Sequence, residues 1–533
     1  MNEAELMQFK DWTDFFESED TDAWTFLYKS IEDKNDNLVI YSCLLKKEYV
    51  KESLKEYSWD FHIDDVYGSE NVIPILIRRQ FHGIKKEYWE LCENIKIFFN
   101  LYEDKEHNRF IHIDNNGDEE EVIVISEKEV KIKKLFLKEY LFAKKLVLAQ
   151  FFDFIRYSDN TIEDLGLKKI DLKKESDKFI YHQFLNNDSQ LFKGKKSISI
   201  VMGKKIISVT DSFKSKLFSE EKEFEEFFVG LDEDSNKKSF TCDEKHLANY
   251  FGANKGNPHY LTPTFFEKKV LDKYYNQPEK YSVSDGYLSC HVLWGLRMDN
   301  SHKDYVMVFL GDLGHLSNKE QKHWKQYNTI TDGKMSHSCF QRSFMAEFCD
   351  PDTADLYFKQ KFKVFQEKWY KKYGWHLFLP LNKEDEHYYQ TLRIPTKESQ
   401  KEFDELVQAL TKIIIDSINI KELKSGLISE ESKEELKTSV KEEFLLKKND
   451  QSIEVFKKHL VQRYNFYFPD MIDFLKNLQN LRSTGSAHRK GDNYEDTKKK
   501  FGLNNNFKEV FENILVECIK MINTLASEKY NLS

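Results

Sequence analysis

From about Thr396 onward the chain changes character, with one stretch after another whose apolar residues recur every three or four positions, whereas strand signals dominate upstream; that change constrains the fold more than any other feature. In "TKESQKEFDELVQALTKIIIDSI" the residues Phe403, Leu406, Val407, Leu410, Ile413 and Ile414 fall on one helical face. Three more stretches follow with the same habit: "SIEVFKKHLVQRY" from Ser452, "MIDFLKNLQNLR" from Met471 and "NFKEVFENILVECIKMINTLASEKY" from Asn506. Four apolar stripes with short connections must bury against one another, which predicts an antiparallel all-α bundle over 396–533. The charged stretch 421–450 reads as a solvated helix or a loose insertion.

Upstream, strand signals dominate. "NVIPILIRRQF" is a β-branched run ended by His82 and Gly83, and it leads into an expected helix, "KEYWELCENIKIFFNLY". "FIHIDNNGDEEEVIVI" places two alternating arms around Asn116-Gly117, a strong hairpin signal because both positions tolerate positive φ. "FLKEYLFAKKLVLAQFFDFIRY", residues 136–157, is expected to be one amphipathic helix. The pattern then resets with "SISIVMGKKIISV", read as two arms turning near Gly203-Lys204, and with "YLSCHVLWGLRMDNSHKDYVMVFLGDLG", read as a hairpin with its loop at 299–304. Ser317 to Glu320 has capping-box spacing, so "KEQKHWKQYN" should be a helix. The expected architecture is therefore α+β and multidomain: an α+β domain at 1–158, a strand-rich α+β domain at 159–395, and the helical bundle at 396–533.

Composition narrows the function classes. With 533 residues, two to four domains are expected. A net charge of -10 argues against a protein that coats nucleic acid with a basic surface, so any nucleic-acid contact must be local. Seven cysteines lie scattered without a single C-x-x-C pair, which excludes a disulfide framework or zinc knuckle as an obvious reading and points to a reducing cytoplasm. The first residues are acidic and contain no signal-peptide core, and no run of about 18 apolar residues exists, so secretion and a membrane partner are not expected.

The chemistry-bearing candidate is "LRSTGSAHRKG", which begins at Leu481. Arg482 lies seven residues after Leu475 and so continues the apolar seam of its helix. In an unbroken helix His488 would point about 120° away from Arg482. Gly485 between Thr484 and Ser486 offers a break that lets the chain turn back. Arg489 and Lys490, then Lys498 to Lys500, add local positive charge. Spacing alone is weak: with about ten arginines and 16 histidines, chance supplies about one such pair, and Arg297 with His302 is a second match inside the expected hairpin.

On these residues the C-terminal region resembles the HEPN superfamily, whose Arg-x4-6-His motif "RSTGSAH" matches between two long bundle helices. The resemblance implies metal-independent RNA cleavage in a toxin or antiphage defence setting, no cofactor, and a homodimer whose motifs meet at the bundle interface. It implies that Arg482 would stabilise charge on the scissile phosphate and that His488 would move protons at the 2′-hydroxyl or the leaving 5′-oxygen, with Ser483, Arg489 and Lys490 as substrate contacts. Ser483 stands where active members often carry Asn, Asp or His. The N-terminal regions would sense a protein or phage-derived trigger, or regulate the nuclease. On "NPHYLTPTFFEKKVLDKYYNQPEKYSVSDGYLSC" and "DYVMVFLGDLGHLSNKEQKHWKQYN" the N-terminal and middle regions resemble an uncharacterised bacterial family, which implies no function.

Two other readings compete. The chain is alternatively a non-enzymatic interaction protein whose inactive HEPN-like bundle dimerises. A third expectation is a metal-dependent nuclease using His291, His302, His315, His323, His337 and Asp312, although none shows the paired spacing of a zinc site. "FLGDLG" lacks both the lysine of a P-loop and the three glycines of a dinucleotide fold. Tyr260, Phe265, Phe266, Tyr274, Tyr275, Tyr281 and Tyr287 would line either a core or a base-stacking groove.

Overall fold

A computed structural model describes residues 3–9, 23–33, 36–50, 72–187, 194–210, 212–215, 217, 222–231, 234, 236–331, 334–345, 349–431, 440–485 and 492–527. The chain is mixed α/β, sheet-rich toward its N-terminus and helical toward its C-terminus, and it forms two compact units, Met1–Glu221 and Lys222–Ser533. Among the described residues no helix is long and apolar enough to cross a membrane. All seven cysteines are free thiols.

The first unit is organised by one antiparallel sheet. Its strands are β1 (Trp24–Asp33), β2 (Asp36–Lys46), β3 (Val72–Pro74), β4 (Leu76–Arg79), β5 (Tyr88–Leu91), β6 (Tyr102–Asp104), β7 (Arg109–Ile113), β8 (Glu119–Ile125), β9 (Glu129–Lys133), β10 (Leu146–Ser158), β11 (Ile170–Ser176), β12 (Phe179–Asn187) and β13 (Ser197–Ile207). The order across it is β11-β12-β13-β10-β2-β1-β9-β8-β7-β6, with β3 on β2, while β4 and β5 pair separately. The hairpin around Asn116-Gly117 forms, though only Gly117 takes positive φ, at 72; in the loop between Ile113 and Glu119 the Asp114 carboxylate accepts from the Asn116 and Asp118 N–H groups, both at 2.8 Å. The expected domain limit at 158 falls inside this sheet, because β10 pairs with β13 from end to end, Leu148 opposite Ile207 through Ser158 opposite Ser197.

Two expectations are corrected here. Residues 136–157 are not one helix. Helix α1 (Lys134–Lys144) stops where Lys145 turns left-handed at φ 55, and the remainder is strand β10. Phe151, Phe152 and Phe154 of β10 are all buried, and a strand covered on both faces lacks the alternation that separates it from a buried helix. Gly203 does not turn the chain either; it sits mid-strand in β13, opposite Phe152 and Tyr181. A Cβ there would lie 2.0 Å from the Ile180 carbonyl oxygen and 2.7 Å from the Phe152 ring, so glycine permits close approach. Gly203→Ala is expected to cost the first unit about 3 kcal/mol by forcing strands apart, read as a lower urea midpoint.

The second unit holds two layers of character in one body. Its strand-rich part pairs β16 (Pro263–Glu267) with β20 (Tyr305–Phe309), following β14 (Glu226–Leu231) and β15 (Lys237–Thr241); β17 (Ser282–Ser284), β18 (Tyr287–Cys290) and β19 (Trp294–Arg297) form a separate sheet. The long hairpin expected across 287–314 is thus divided: β18 pairs with β19, whereas β20 takes β16 as its partner. Helix α2 (Asn318–Lys325) starts as its capping signal predicts, with Ser317 Oγ accepting from the Glu320 N–H at 3.3 Å. Phe266, Tyr274, Tyr275 and Tyr281 are buried in the core, so most of the aromatic density is packing and not a base-stacking groove.

The helical part is larger than the sequence pattern predicts. Helix α3 (Ala354–Tyr373), assigned above to the middle domain, places Phe358, Phe362, Phe365 and Trp369 in the same core as α4 (Gln400–Thr411), α5 (Ser452–Tyr464), α6 (Pro469–Gly485) and α8 (Phe507–Ala526), with α7 (Asp492–Lys500) preceding the last. No boundary at 395 separates them. The charged stretch 421–450 yields only the short helical turns Ile420–Lys424 and Glu442–Phe444 among its described residues.

His459 on α5 is expected to make this core acid-sensitive. Its Nδ1 lies 2.8 Å from the Leu423 carbonyl oxygen, and its Nε2 is buried without a partner among the described residues, so burial lowers its pKa below the usual histidine value. The unfolded chain then binds more protons than the folded one below pH 6.5, and stability present at neutral pH is lost as pH falls through that value. The second unit's urea midpoint is expected to drop between pH 7 and 5, with a shallower slope in His459→Phe.

Candidate active site in the helical region

Arg482 occupies the last turn of α6, whose buried line of Ile472, Leu475, Leu478 and Leu481 packs into the core. Arg482 continues that face where the core ends, leaving its side chain 27% exposed. The helix is described as far as Gly485, and the expected break that would turn His488 back lies outside the described residues.

What holds the guanidinium comes from far away in sequence. After Thr411, α4 widens into a π-helical turn, Lys412–Asp416, in which Ile413, Ile414 and Ile415 are all buried. That turn brings the Asp416 carboxylate to Arg482, Nη1 to Oδ2 at 2.6 Å, and the same nitrogen lies 3.5 Å from Thr411 Oγ1. π-Helical turns recur at functional positions because the extra residue re-aims side chains. The pair is charge-assisted and short, so it fixes the fork of donors in one orientation.

The other candidate residues divide sharply. Ser483 is exposed, and its hydroxyl donates back to the Gln479 carbonyl oxygen at 2.9 Å, so the short side chain is engaged along its own helix. His488, Arg489 and Lys490 lie outside the described residues. Of the lysines beyond them, Lys500 on α7 donates to Asn477 Oδ1 of α6 at 3.1 Å, which ties the two helices on either side of the motif.

The second arginine–histidine match has a different setting. Arg297 ends β19, while His302 stacks on Tyr305 with ring centroids 3.5 Å apart. No hydrogen bond or ion pair joins the two among the described residues.

The middle-region histidines are dispersed onto separate partners. His291 Nε2 sits 2.8 Å from the Glu279 carbonyl oxygen, and His323 Nε2 sits 2.9 Å from that of Val270. His337 opens a short helix capped by Ser336. Only His315 meets Asp312, through Tyr260: the phenol donates to Asp312 Oδ1 at 2.8 Å and lies 2.9 Å from His315 Nε2. Among the described residues no group of three or more His, Cys, Asp or Glu side chains is arranged to hold a metal ion.

"FLGDLG" has a packing explanation. A Cβ on Gly311 would come within 2.2 Å of the Tyr260 ring, and one on Gly314 within 2.3 Å of the Cys242 carbonyl oxygen. These glycines admit close neighbours, as Gly203 does.

Asp416 and Thr411 carried no local signal that would pair them with Arg482. The one visible trace was Asp416 itself, the charged residue that closes the run of three isoleucines. No family model, no curated protein and no solved structure matches this chain.

Proposed function

We propose that the helical region is a HEPN-like, metal-independent endoribonuclease acting as a toxin or antiphage defence effector, with the N-terminal regions sensing a trigger or regulating it. The observation that carries this is Arg482: a half-buried guanidinium on the last turn of a bundle helix, oriented by Asp416. A positioned guanidinium stabilises charge on a phosphate better than a mobile one, because its orientation is set before the reaction begins.

The proposed chemistry is an internal transfer. The RNA 2′-oxygen bonds to phosphorus, its proton passes to a base, the bond from phosphorus to the 5′-oxygen breaks, and that oxygen takes up a proton. His488 is assigned the proton movements because imidazole titrates near neutrality. The products are a 2′,3′-cyclic phosphate and a 5′-hydroxyl. Full-length protein incubated with RNA in EDTA should generate these ends, and DNA of the same sequence should stay intact.

One observation favours a second reading, in which the bundle is a catalytically inactive dimerisation module: the Arg482–Asp416 pair also serves as a brace between α4 and α6. RNA left intact by a protein that light scattering shows to be dimeric would support that reading. Cleavage that EDTA abolishes and Arg482→Ala leaves unchanged would instead indicate a metal-dependent nuclease elsewhere in the chain.

A further inference from the structure

We propose that the first unit binds a nucleoside polyphosphate in a cavity at the end of its large sheet. The cavity, about 1020 Å³, opens where β2 ends at Lys46, β10 begins at Leu146 and α1 terminates. That is the upper edge of the usual range for small-molecule sites, about 300–1,000 Å³.

Charge identifies the ligand class. Lys46, Lys47, Lys144 and Lys145 line the cavity, and Glu48 is the one carboxylate among the lining residues. Lys46 and Lys145 have no carboxylate partner among the described residues. Lysines in the last turn of a helix ordinarily complement its dipole, and that accounts for Lys144 and Lys145. It does not account for Lys46 and Lys47, which arrive from the end of a strand and the turn after it. Two independent elements thus bring four lysines to the wall of one cavity in a chain of net charge -10, the Lys144 ammonium lying also 5.3 Å from the centroid of the Phe98 ring. Several ammonium groups around a cavity suit a ligand with several phosphates, since each acts as a point charge.

Tyr140 adds a polar group to the wall. Its side chain lines the cavity and the residue is 3% exposed, yet its hydroxyl has no hydrogen-bond partner among the described residues. The hydroxyl oxygen is not one of the buried unpaired polar atoms, so it is open to a bound molecule as it is to water. Burial raises its pKa above the usual tyrosine value, which keeps it a neutral O–H donor. The apolar part of the wall, including Leu141 and Leu146, offers a surface for a base.

The test is calorimetric titration of full-length protein with ATP, ADP, AMP, adenosine and inorganic tripolyphosphate. Affinity should rise from adenosine to ATP, and ATP should bind more tightly than tripolyphosphate. Lys46→Ala with Lys145→Ala should weaken ATP binding at least about tenfold without changing the melting temperature of the free protein. Tyr140→Phe, which keeps the ring, should weaken it by a smaller factor. No binding of any probe up to about 1 mM would overturn the proposal. So would ATP binding indifferent to the lysine pair, tripolyphosphate binding as tightly as ATP, or a short RNA binding through these lysines while the mononucleotides do not.

Discussion

Arg482→Ala is expected to reduce RNA cleavage by about 10²–10³-fold, the usual consequence of removing one group aimed at developing negative charge. The size of the competing structural effect decides how such a loss is to be interpreted. The Arg482 and Asp416 side chains are 27% and 34% exposed, and solvent screens a pair of that kind, so its contribution to stability is about 1 kcal/mol or less. A variant lacking the pair therefore stays folded while losing most of its activity. Arg482→Lys keeps the charge but not the planar fork, and it should recover only part of the rate. Asp416→Asn loosens the guanidinium without deleting it and is expected to fall between wild type and Arg482→Ala. Equal thermal stability of the three variants, with activity in that order, separates a positioned catalytic arginine from a brace.

Lys273→Met carries the largest expected cost in stability. The Glu320 side chain is 1% exposed and contacts Lys273 Nζ at 2.5 Å, while the Tyr274 hydroxyl donates to it at 2.7 Å and in turn accepts from Trp324 Nε1 at 2.8 Å. Removing the lysine leaves a buried carboxylate with a single phenol to satisfy it, a loss of about 3–5 kcal/mol. Adding Glu320→Leu removes the stranded charge as well, and the double variant should regain most of that loss. Urea unfolding of the two variants measures this. A cost under about 1 kcal/mol for Lys273→Met would show that water reaches the carboxylate.

The same network shows where sequence pattern reaches and where it stops. Ser317 capping the Glu320 N–H was legible because a cap is local in sequence, but the Glu320 side chain turns away to Lys273, 47 positions upstream. The helices at 452–464 and 507–526 were visible because one face is buried and the other wet, so their period survives in the sequence. Strand β10 hid because both faces are covered, and Gly203 misled because a glycine that admits a neighbouring strand looks like one that turns the chain. Helix α3 was overlooked although Phe358, Phe362, Phe365 and Trp369 recur at helical spacing; lysines crowd the positions between them. At the candidate site the place of Arg482 on the seam of its helix was legible. Asp416 and Thr411 were not, since only packing of α4 against α6 brings residues 66 and 71 positions distant to the guanidinium.

The central claim is that Arg482 belongs to a metal-independent ribonuclease. Its most direct measurement is the rate at which full-length protein cuts end-labelled RNA in EDTA, compared between wild type and an Arg482→Ala variant of matched melting temperature. The account predicts cleavage by wild type and loss of about 10²-fold or more in the variant. Equal rates in the two proteins, or intact RNA in both, would contradict it.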